Sequence, residues 1–175
     1  MAKRVYYHRS DLSVDVVAET VKGVRYRYLL DVKLRSQPKG SGETACIVMQ
    51  NPSEANQEKA DKSVKFLENY FFEKRFPRFS AVSRLLIVNQ FARVKTNNFQ
   101  GKPSDIGAEN DKYIQKAISK SDLAIIAWGS SNTYCDRQVA IKAFLKKRAG
   151  LRCYQTTKHP RCGEHSSSYI LRVLL

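Results

Sequence analysis

Short runs of apolar residues alternate along this chain with segments in which apolar residues recur every three or four positions. The runs cover residues 45–49, 85–88 and 123–128, and a further short strand is predicted at Leu151–Tyr154, which contains Arg152. Helical spacing is seen in three groups: Ala60, Val64, Leu67 and Phe71; Ile114, Ala117 and Ile118; and Val139, Ala140, Ala143 and Phe144. Buried strands that alternate with amphipathic helices are typical of an α/β fold. We therefore predict a three-layer α/β sandwich with a short, mostly parallel four-stranded central sheet.

A further strand is predicted upstream of this alternation. Residues 25–34 are rich in aromatic and aliphatic side chains, and the loop at 36–42 that follows contains proline, serine and glycine. We expect residues 25–34 to form an added N-terminal strand or hairpin, antiparallel to residues 44–49. A length of 175 residues corresponds to about one domain, so residues 1–175 are predicted to form a single α/β domain.

The charge of the chain narrows the choice of partner. There are 31 Lys and Arg residues against 16 Asp and Glu, which gives a formal net charge of +15. Self-repulsion of this size weakens a compact fold, so it usually reflects a polyanionic partner. Nucleic acid is the first candidate and an anionic membrane surface is the second. Solubility alone is the third explanation, although acidic residues serve solubility better.

The sequence carries no targeting or membrane signal. Its longest apolar run, Leu123–Trp128, is far shorter than the ~20 residues that a transmembrane helix requires. The basic residues after Met1 are not followed by the apolar stretch of a signal peptide. The four cysteines contain no C-x-x-C pair. We expect a cytoplasmic, monomeric protein that has reduced thiols and does not contact a membrane.

Polar residues follow each predicted strand of the parallel sheet. In an open parallel sheet, ligands bind beyond the carboxyl ends of the strands. Asparagine, serine, proline and glycine also make turns, which is the alternative explanation at any one of these ends. The polar ends are Gln50, Asn51 and Ser53; Asn89, Gln90 and Phe91; Gly129, Ser130 and Ser131; and Lys158, His159 and Arg161.

The order of these segments resembles a known superfamily. The segments Val48–Pro52, Leu85–Asn89, Ala124–Gly129 and Lys158–Pro160 are similar in sequence and order to motifs of the uracil-DNA glycosylase superfamily. The same segments, with Gly107–Asp111, also resemble an uncharacterised family of bacterial and phage proteins, domain of unknown function 1643. The resemblance covers about residues 25–165. It implies a uracil-DNA glycosylase-like sandwich and base-excision chemistry.

The resemblance assigns roles to individual residues. A target base is flipped out of the DNA so that its glycosidic bond can be reached. By this resemblance, Asn51 positions the attacking water, His159 stabilises the departing base anion, and Asn89 binds the Watson–Crick edge. Gln50, Ser53 and Phe91 are expected to complete the base pocket. The DNA backbone is expected to contact Arg93, Lys95, Ser130, Lys158 and Arg161.

The chain departs from the superfamily at two single residues and in one five-residue segment. Asn51 is an amide, which orients water but cannot act as a general base. Ser53 is small where the best-known uracil enzymes have a bulky tyrosine, so we expect space for a substituent at C5 of a pyrimidine, as in modified phage DNA. Residues 161–165 replace the usual motif that wedges open the DNA. Asp111 is a reserve candidate for the water-activating base.

The expected function is therefore a DNA glycosylase that leaves an abasic site, in DNA repair or in defence against phage. Two alternatives stay open: a non-catalytic nucleic-acid-binding module, and a hydrolase or transferase of free nucleosides or nucleotides. Further cations at Arg25, Arg27 and 146–148 are candidates for phosphate contacts. Neither a cofactor nor a metal ion is expected, because the spacing of Cys153, His159, Cys162 and His165 fits no standard ligand pattern.

Overall fold

The described part of the chain forms a mixed α/β fold built on a seven-stranded sheet. The computed structural model describes residues 5–38, 41–95, 97–129, 133–158, 160 and 170–172. The large sheet has the order β2-β3-β6-β4-β7-β8-β9, and β1 and β5 form a separate two-stranded sheet. The strands are β1 Tyr6–Tyr7, β2 Leu12–Val21, β3 Val24–Leu34, β4 Glu43–Met49, β5 Lys59–Ala60, β6 Val82–Asn89, β7 Leu123–Ile126, β8 Arg152–Thr156 and β9 Ile170–Arg172.

The centre of the large sheet is parallel and its flanks are antiparallel. Strands β6, β4, β7 and β8 form at the four segments predicted to be strands, and they pair in parallel. The hairpin β2-β3 and strand β9 pair with them in antiparallel fashion. The prediction of a four-stranded sheet is therefore wrong, because the parallel strands are only the middle of a larger mixed sheet.

Strand β3 does not pair where the sequence suggested. It lies antiparallel to β6, with Leu30 opposite Ile87, and not beside residues 44–49. Strand β4 already has a parallel neighbour on each side, β6 and β7. The last five residues of β4, 45–49, are all buried, as expected for a strand in the middle of a parallel sheet. Strand β3 alternates more between buried and partly exposed positions, which suits a place nearer the edge.

Helices cover both faces of the sheet. They are α1 Lys62–Glu68, which continues into a π-helical turn at Asn69–Glu73, α2 Asn110–Ser119 and α3 Cys135–Lys146. Side chains alternate between faces along β4: Ile47 packs in the core cluster that contains residues of α1, while Val48 packs in the cluster that contains residues of α2 and α3. None of the helices in the described part of the chain is long and apolar enough to cross a membrane.

The predicted helical faces are partly correct. Val64, Leu67 and Phe71 are fully buried, as predicted, but Ala60 does not belong to this helical stripe because it lies in strand β5, before α1 begins. In α3 the predicted face is wrong, because Val139 is 66% exposed and Ala143 is also exposed. The buried residues of α3 are instead Arg137, Gln138, Ile141 and Leu145. A charged residue can occupy a buried face when it is paired, and the partner of Arg137 lies on α2.

Candidate functional site

Hydrogen bonds connect the residues that follow the carboxyl ends of β4 and β6, so that these residues lie together at one edge of the sheet. The backbone N–H of Gln90 donates to the carbonyl of Met49 at 2.8 Å, and that of Phe91 donates to the carbonyl of Gln50 at 3.1 Å. One residue further, the Nδ2 of Asn51 donates to the carbonyl of Lys95 at 2.6 Å. The structure thus brings together five predicted site residues: Gln50, Asn51, Asn89, Phe91 and Lys95.

Asn89 lies fully buried at this edge with an unpartnered side chain. Neither its Nδ2 nor its Oδ1 has a hydrogen-bond partner in the described segments, and the same holds for the Oε1 of Gln90. A buried polar group without a partner costs about 1–3 kcal/mol. Such groups are rare in folded proteins, and each requires an explanation. The planar amide of Asn89 therefore has both a donor and an acceptor that are available to a ligand.

The backbone next to Asn89 is held by two helices. Asn110, the first residue of α2, donates from its Nδ2 to the carbonyls of Asn89 and Gln90, each at 3.1 Å. Arg137 of α3 donates from its Nε to the carbonyl of Gln90 at 2.6 Å and forms an ion pair with Asp111. Asp111, the reserve candidate for a base, therefore has its carboxylate beside a guanidinium.

Asn110 and Arg137 were not predicted as site residues from the sequence. Asn110 stands at the start of a helix, where asparagine is a common capping residue, so its position gave no functional signal. For Arg137 the sequence shows only that it precedes Ile141 and Leu145 at intervals of four, and a charged residue in such a pattern is ordinarily assigned to solvent; the structure shows that all three are buried. That spacing places the arginine on the buried face of α3.

The loop after β4 is fastened to α1 through Ser53. The hydroxyl of Ser53 contacts the Asp61 carboxylate, and Asp61 caps α1 by accepting from the N–H of Val64 at 2.8 Å. Asp61, and not Ser53, is therefore the residue that caps α1. The hydroxyl of Ser53 instead contacts the side chain of this capping residue.

Arg27 lies inside the protein and not on its surface. It is 1% exposed, and its Nη1 donates to the carbonyl of Ala55 at 3.0 Å. Burial lowers the pKa of Arg27 to about 10, although the carboxylate of Asp61 opposes this shift. The suggestion that Arg27 contacts phosphate is therefore wrong, since its guanidinium supports the loop after β4.

An aromatic cluster lies beside the exit of β6. Phe91 is 2% exposed and packs edge-on against Phe99 and Tyr134, with ring centroids 5.2 and 5.0 Å away. A Cβ at Gly101 would stand 2.3 Å from the Tyr134 ring, so a glycine is required for this close approach. The expected place of Phe91 in the base pocket stays a prediction.

The predicted backbone-contacting residues divide into three groups. Lys95 and Lys158 lie at the carboxyl edge, where Lys158 is exposed. Arg93 is at the same edge and donates to the buried Asp105 carboxylate at 2.8 Å, so its charge is paired. Ser130 and Arg161 lie outside the described residues, as does the predicted catalytic residue His159.

The described segments contain no cluster of three His, Cys, Asp or Glu side chains that could hold a metal ion. Cys153 is buried on β8, which raises the pKa of its thiol. Its suggested companions His159, Cys162 and His165 lie outside the described residues.

The fold and this edge define the class of the molecule: a mixed α/β protein with a polar site at the carboxyl ends of its parallel strands. The chain belongs to the family described as "Protein of unknown function (DUF1643)", whose model matches residues 27–163. That range contains Asn51, Asn89, Asn110 and Arg137. No curated protein matches the chain. No solved structure matches it either.

Proposed function

We propose that this protein is a DNA glycosylase that binds a flipped-out base against Asn89. The support comes from one observation above all: the Asn89 amide is fully buried with both its donor and its acceptor unpartnered among the described residues. A pyrimidine presents a complementary acceptor and donor on its Watson–Crick edge. Because Asn110 and Arg137 hold the adjacent backbone, the amide is oriented before a base arrives.

The chemistry that we propose is hydrolysis of the N-glycosidic bond. The bond between C1′ and the base nitrogen breaks, and the base leaves with the electron pair. A water adds to the oxocarbenium-like C1′, and the departing base anion takes up its proton, so that a neutral base and an abasic site result. The Nδ2 of Asn51 donates to the Lys95 carbonyl. The Oδ1 of Asn51 is therefore the atom that would accept a hydrogen bond from the attacking water. By the resemblance described above, His159 stabilises the departing anion.

The charge supports nucleic acid as the substrate. The net charge of +15 has no evident use for an enzyme of free nucleosides. Exposed Arg25 adjoins the site, because the N–H of Val94 donates to its carbonyl at 2.9 Å. Together with Lys95 and Lys158, it places cations where the backbone of a bound strand would pass.

The proposed activity is tested with duplex and single-stranded DNA that carries different modified bases, by scoring alkali-labile abasic sites. We expect product with at least one base, and a loss of about 100-fold or more in Asn51→Ala and His159→Ala, as for other groups that act on a transition state. Asn97→Ala, an exposed asparagine in the loop after β6, is the matched control and should keep full activity. Unchanged cleavage by both variants would refute the assigned roles.

The small side chain of Ser53 predicts a preference for bulky pyrimidines. We expect faster excision of C5-modified pyrimidines than of plain uracil, and a loss of the former in Ser53→Tyr because the ring would fill the space. Ser53→Ala is the control, since it removes the contact with Asp61 without adding bulk. A wild-type preference for uracil would contradict this prediction.

A non-catalytic base-binding module is the second candidate. It is favoured by the chemistry of Asn51, an amide with no carboxylate in contact with it among the described residues. Tight binding to a modified base without any abasic product would select this function over the glycosylase.

A further inference from the structure

A positively charged groove lies between the C-terminal ends of α2 and α3. It has a volume of about 440 Å³ and is lined by Lys116, Lys147 and Arg148 around Ile118 and Phe144. Helices α2 and α3 each follow one parallel strand and lead into the next, so they run antiparallel to the strands. The groove therefore lies at the end of the sheet opposite to Asn89.

The charge of this groove is not compensated. None of its three cations forms an ion pair with a carboxylate in the described part of the chain. Two carboxylates at this end of the sheet are engaged elsewhere: Glu43 pairs with Arg152 at 2.6 Å, and Asp122 accepts from the N–H of Thr44 at 2.9 Å. Exposed Lys120 and Lys146 add further positive charge nearby.

The floor of the groove is apolar. Ile118 is 3% exposed, and the half-buried Phe144 packs against the core cluster on the α2 and α3 face of the sheet. Single cations in the last turn of a helix stabilise the helix dipole. That effect does not require cations from two helices to converge around an apolar floor. A ligand with alternating charged and apolar parts fits this arrangement.

We propose that this groove binds the sugar–phosphate backbone of a nucleic acid, as a second contact separate from the Asn89 site. Phosphates would pair with Lys116, Lys147 and Arg148, and a sugar would lie on Phe144. A lipid surface fits less well, because the large exposed apolar side chains of the described residues, Val5, Tyr7, Val21 and Val139, do not line the groove. The proposal does not depend on base excision.

The consequence is a protein that contacts nucleic acid at both ends of its sheet. A parallel strand such as β4, with seven residues at about 3.3 Å each, separates the two ends by roughly 23 Å. One long strand that wraps the molecule, or two separate segments, would satisfy both contacts. In this arrangement the cations at 146–148 also contact phosphates. They cannot do so at the Asn89 site, because they lie at the opposite end of the sheet.

The test is the salt dependence of binding to an unmodified 20-base-pair duplex, followed by fluorescence anisotropy. The groove variant carries Lys116→Gln, Lys147→Gln and Arg148→Gln. The matched control carries Lys59→Gln, Lys62→Gln and Lys74→Gln, three exposed cations elsewhere that remove the same charge. Each lost phosphate contact lowers the slope of log K against log salt by about 0.9. We expect the slope to fall by about 2–3 in the groove variant and by less than about 1 in the control.

Equal slopes in the two triple variants would overturn the proposal, because the effect would then be one of net charge alone. Loss of binding to phosphatidylserine vesicles without any change on DNA would also overturn it. The outcome is separable from the proposed function. If the slope changes in the groove variant but no base yields an abasic site, the groove proposal is supported and the glycosylase proposal is refuted. If abasic sites form but the two triple variants have equal slopes, the glycosylase proposal is supported and the groove proposal is refuted.

Discussion

Replacing Asn89 with leucine is expected to make the protein more stable and unable to recognise a base. Leucine has the same number of side-chain heavy atoms as asparagine but carries no polar group. It removes a fully buried amide whose nitrogen and oxygen have no partner in the described residues. We expect a gain of about 1 kcal/mol, which is roughly 2–4 °C in Tm for a chain of this size. Base-specific binding and excision should fall by about 100-fold or more, because the hydrogen bonds to the base are lost.

The same substitution at Asn110 provides the control. Asn110 is also fully buried, but its Nδ2 donates to two carbonyls at 3.1 Å. Asn110→Leu should therefore destabilise the protein by about 1–3 kcal/mol, opposite in sign to Asn89→Leu. Thermal unfolding of both variants measures the difference. A destabilised Asn89→Leu would indicate that Asn89 has a structural role and is not held ready for a ligand.

Glu68→Gln is expected to cost about 3 kcal/mol, or roughly 6–12 °C in Tm, because it breaks a buried ion pair. His8 of the N-terminal segment contacts the Glu68 carboxylate through Nδ1 and the carbonyl of Asn56 through Nε2, the latter at 2.7 Å. The side chains of His8 and Glu68 are only 7% and 0% exposed. Since both ring nitrogens face acceptors, the geometry favours the imidazolium. This pair ties the N-terminal segment to α1 and to the loop that carries Asn51 and Ser53.

The His8–Glu68 pair also makes stability depend on pH. Burial of the ring lowers the pKa of His8, but hydrogen bonds to Glu68 and Asn56 and the charge of Glu68 outweigh it, so the pKa is raised above 6.5. Lys65, which faces Glu68 at 3.6 Å, opposes the rise. The stabilisation is therefore fully present below about pH 6.5, the value in the unfolded chain, and is lost as the pH rises through the raised pKa.

The measurement is Tm against pH between about 5.5 and 8.5. Wild-type protein should lose stability towards the upper end of this range, and this loss should disappear in Glu68→Gln. Glu73→Gln is the matched control, since Glu73 contacts Arg9 at 3.4 Å with a half-exposed carboxylate and contributes little. A wild-type profile identical to that of Glu68→Gln would show that the pair does not carry the pH dependence.

Several elements of the fold were predictable because they depend on local periodicity. Three of the four parallel strands come from uninterrupted apolar runs, and the spacing of Ile114, Ala117 and Ile118 correctly indicated the helix α2. The face of α3 was not predictable in this way, because a buried Arg137 takes the place of an apolar residue in the pattern. Its burial depends on Asp111 and on the carbonyl of Gln90, which lie 26 and 47 positions away in the chain.

The sequence by itself determined the α/β alternation, the basic character and the polar residues at the strand exits, since each follows from the order and type of neighbouring residues. Only the tertiary structure decided that β3 lies beside β6, that Arg27 is buried while Lys147 is exposed, and that Asn89 has no partner among the described residues. The physical reason is the same for all three. Strand order, burial of a charge and hydrogen-bond satisfaction are set by partners distant in the chain, and local periodicity carries no information about them.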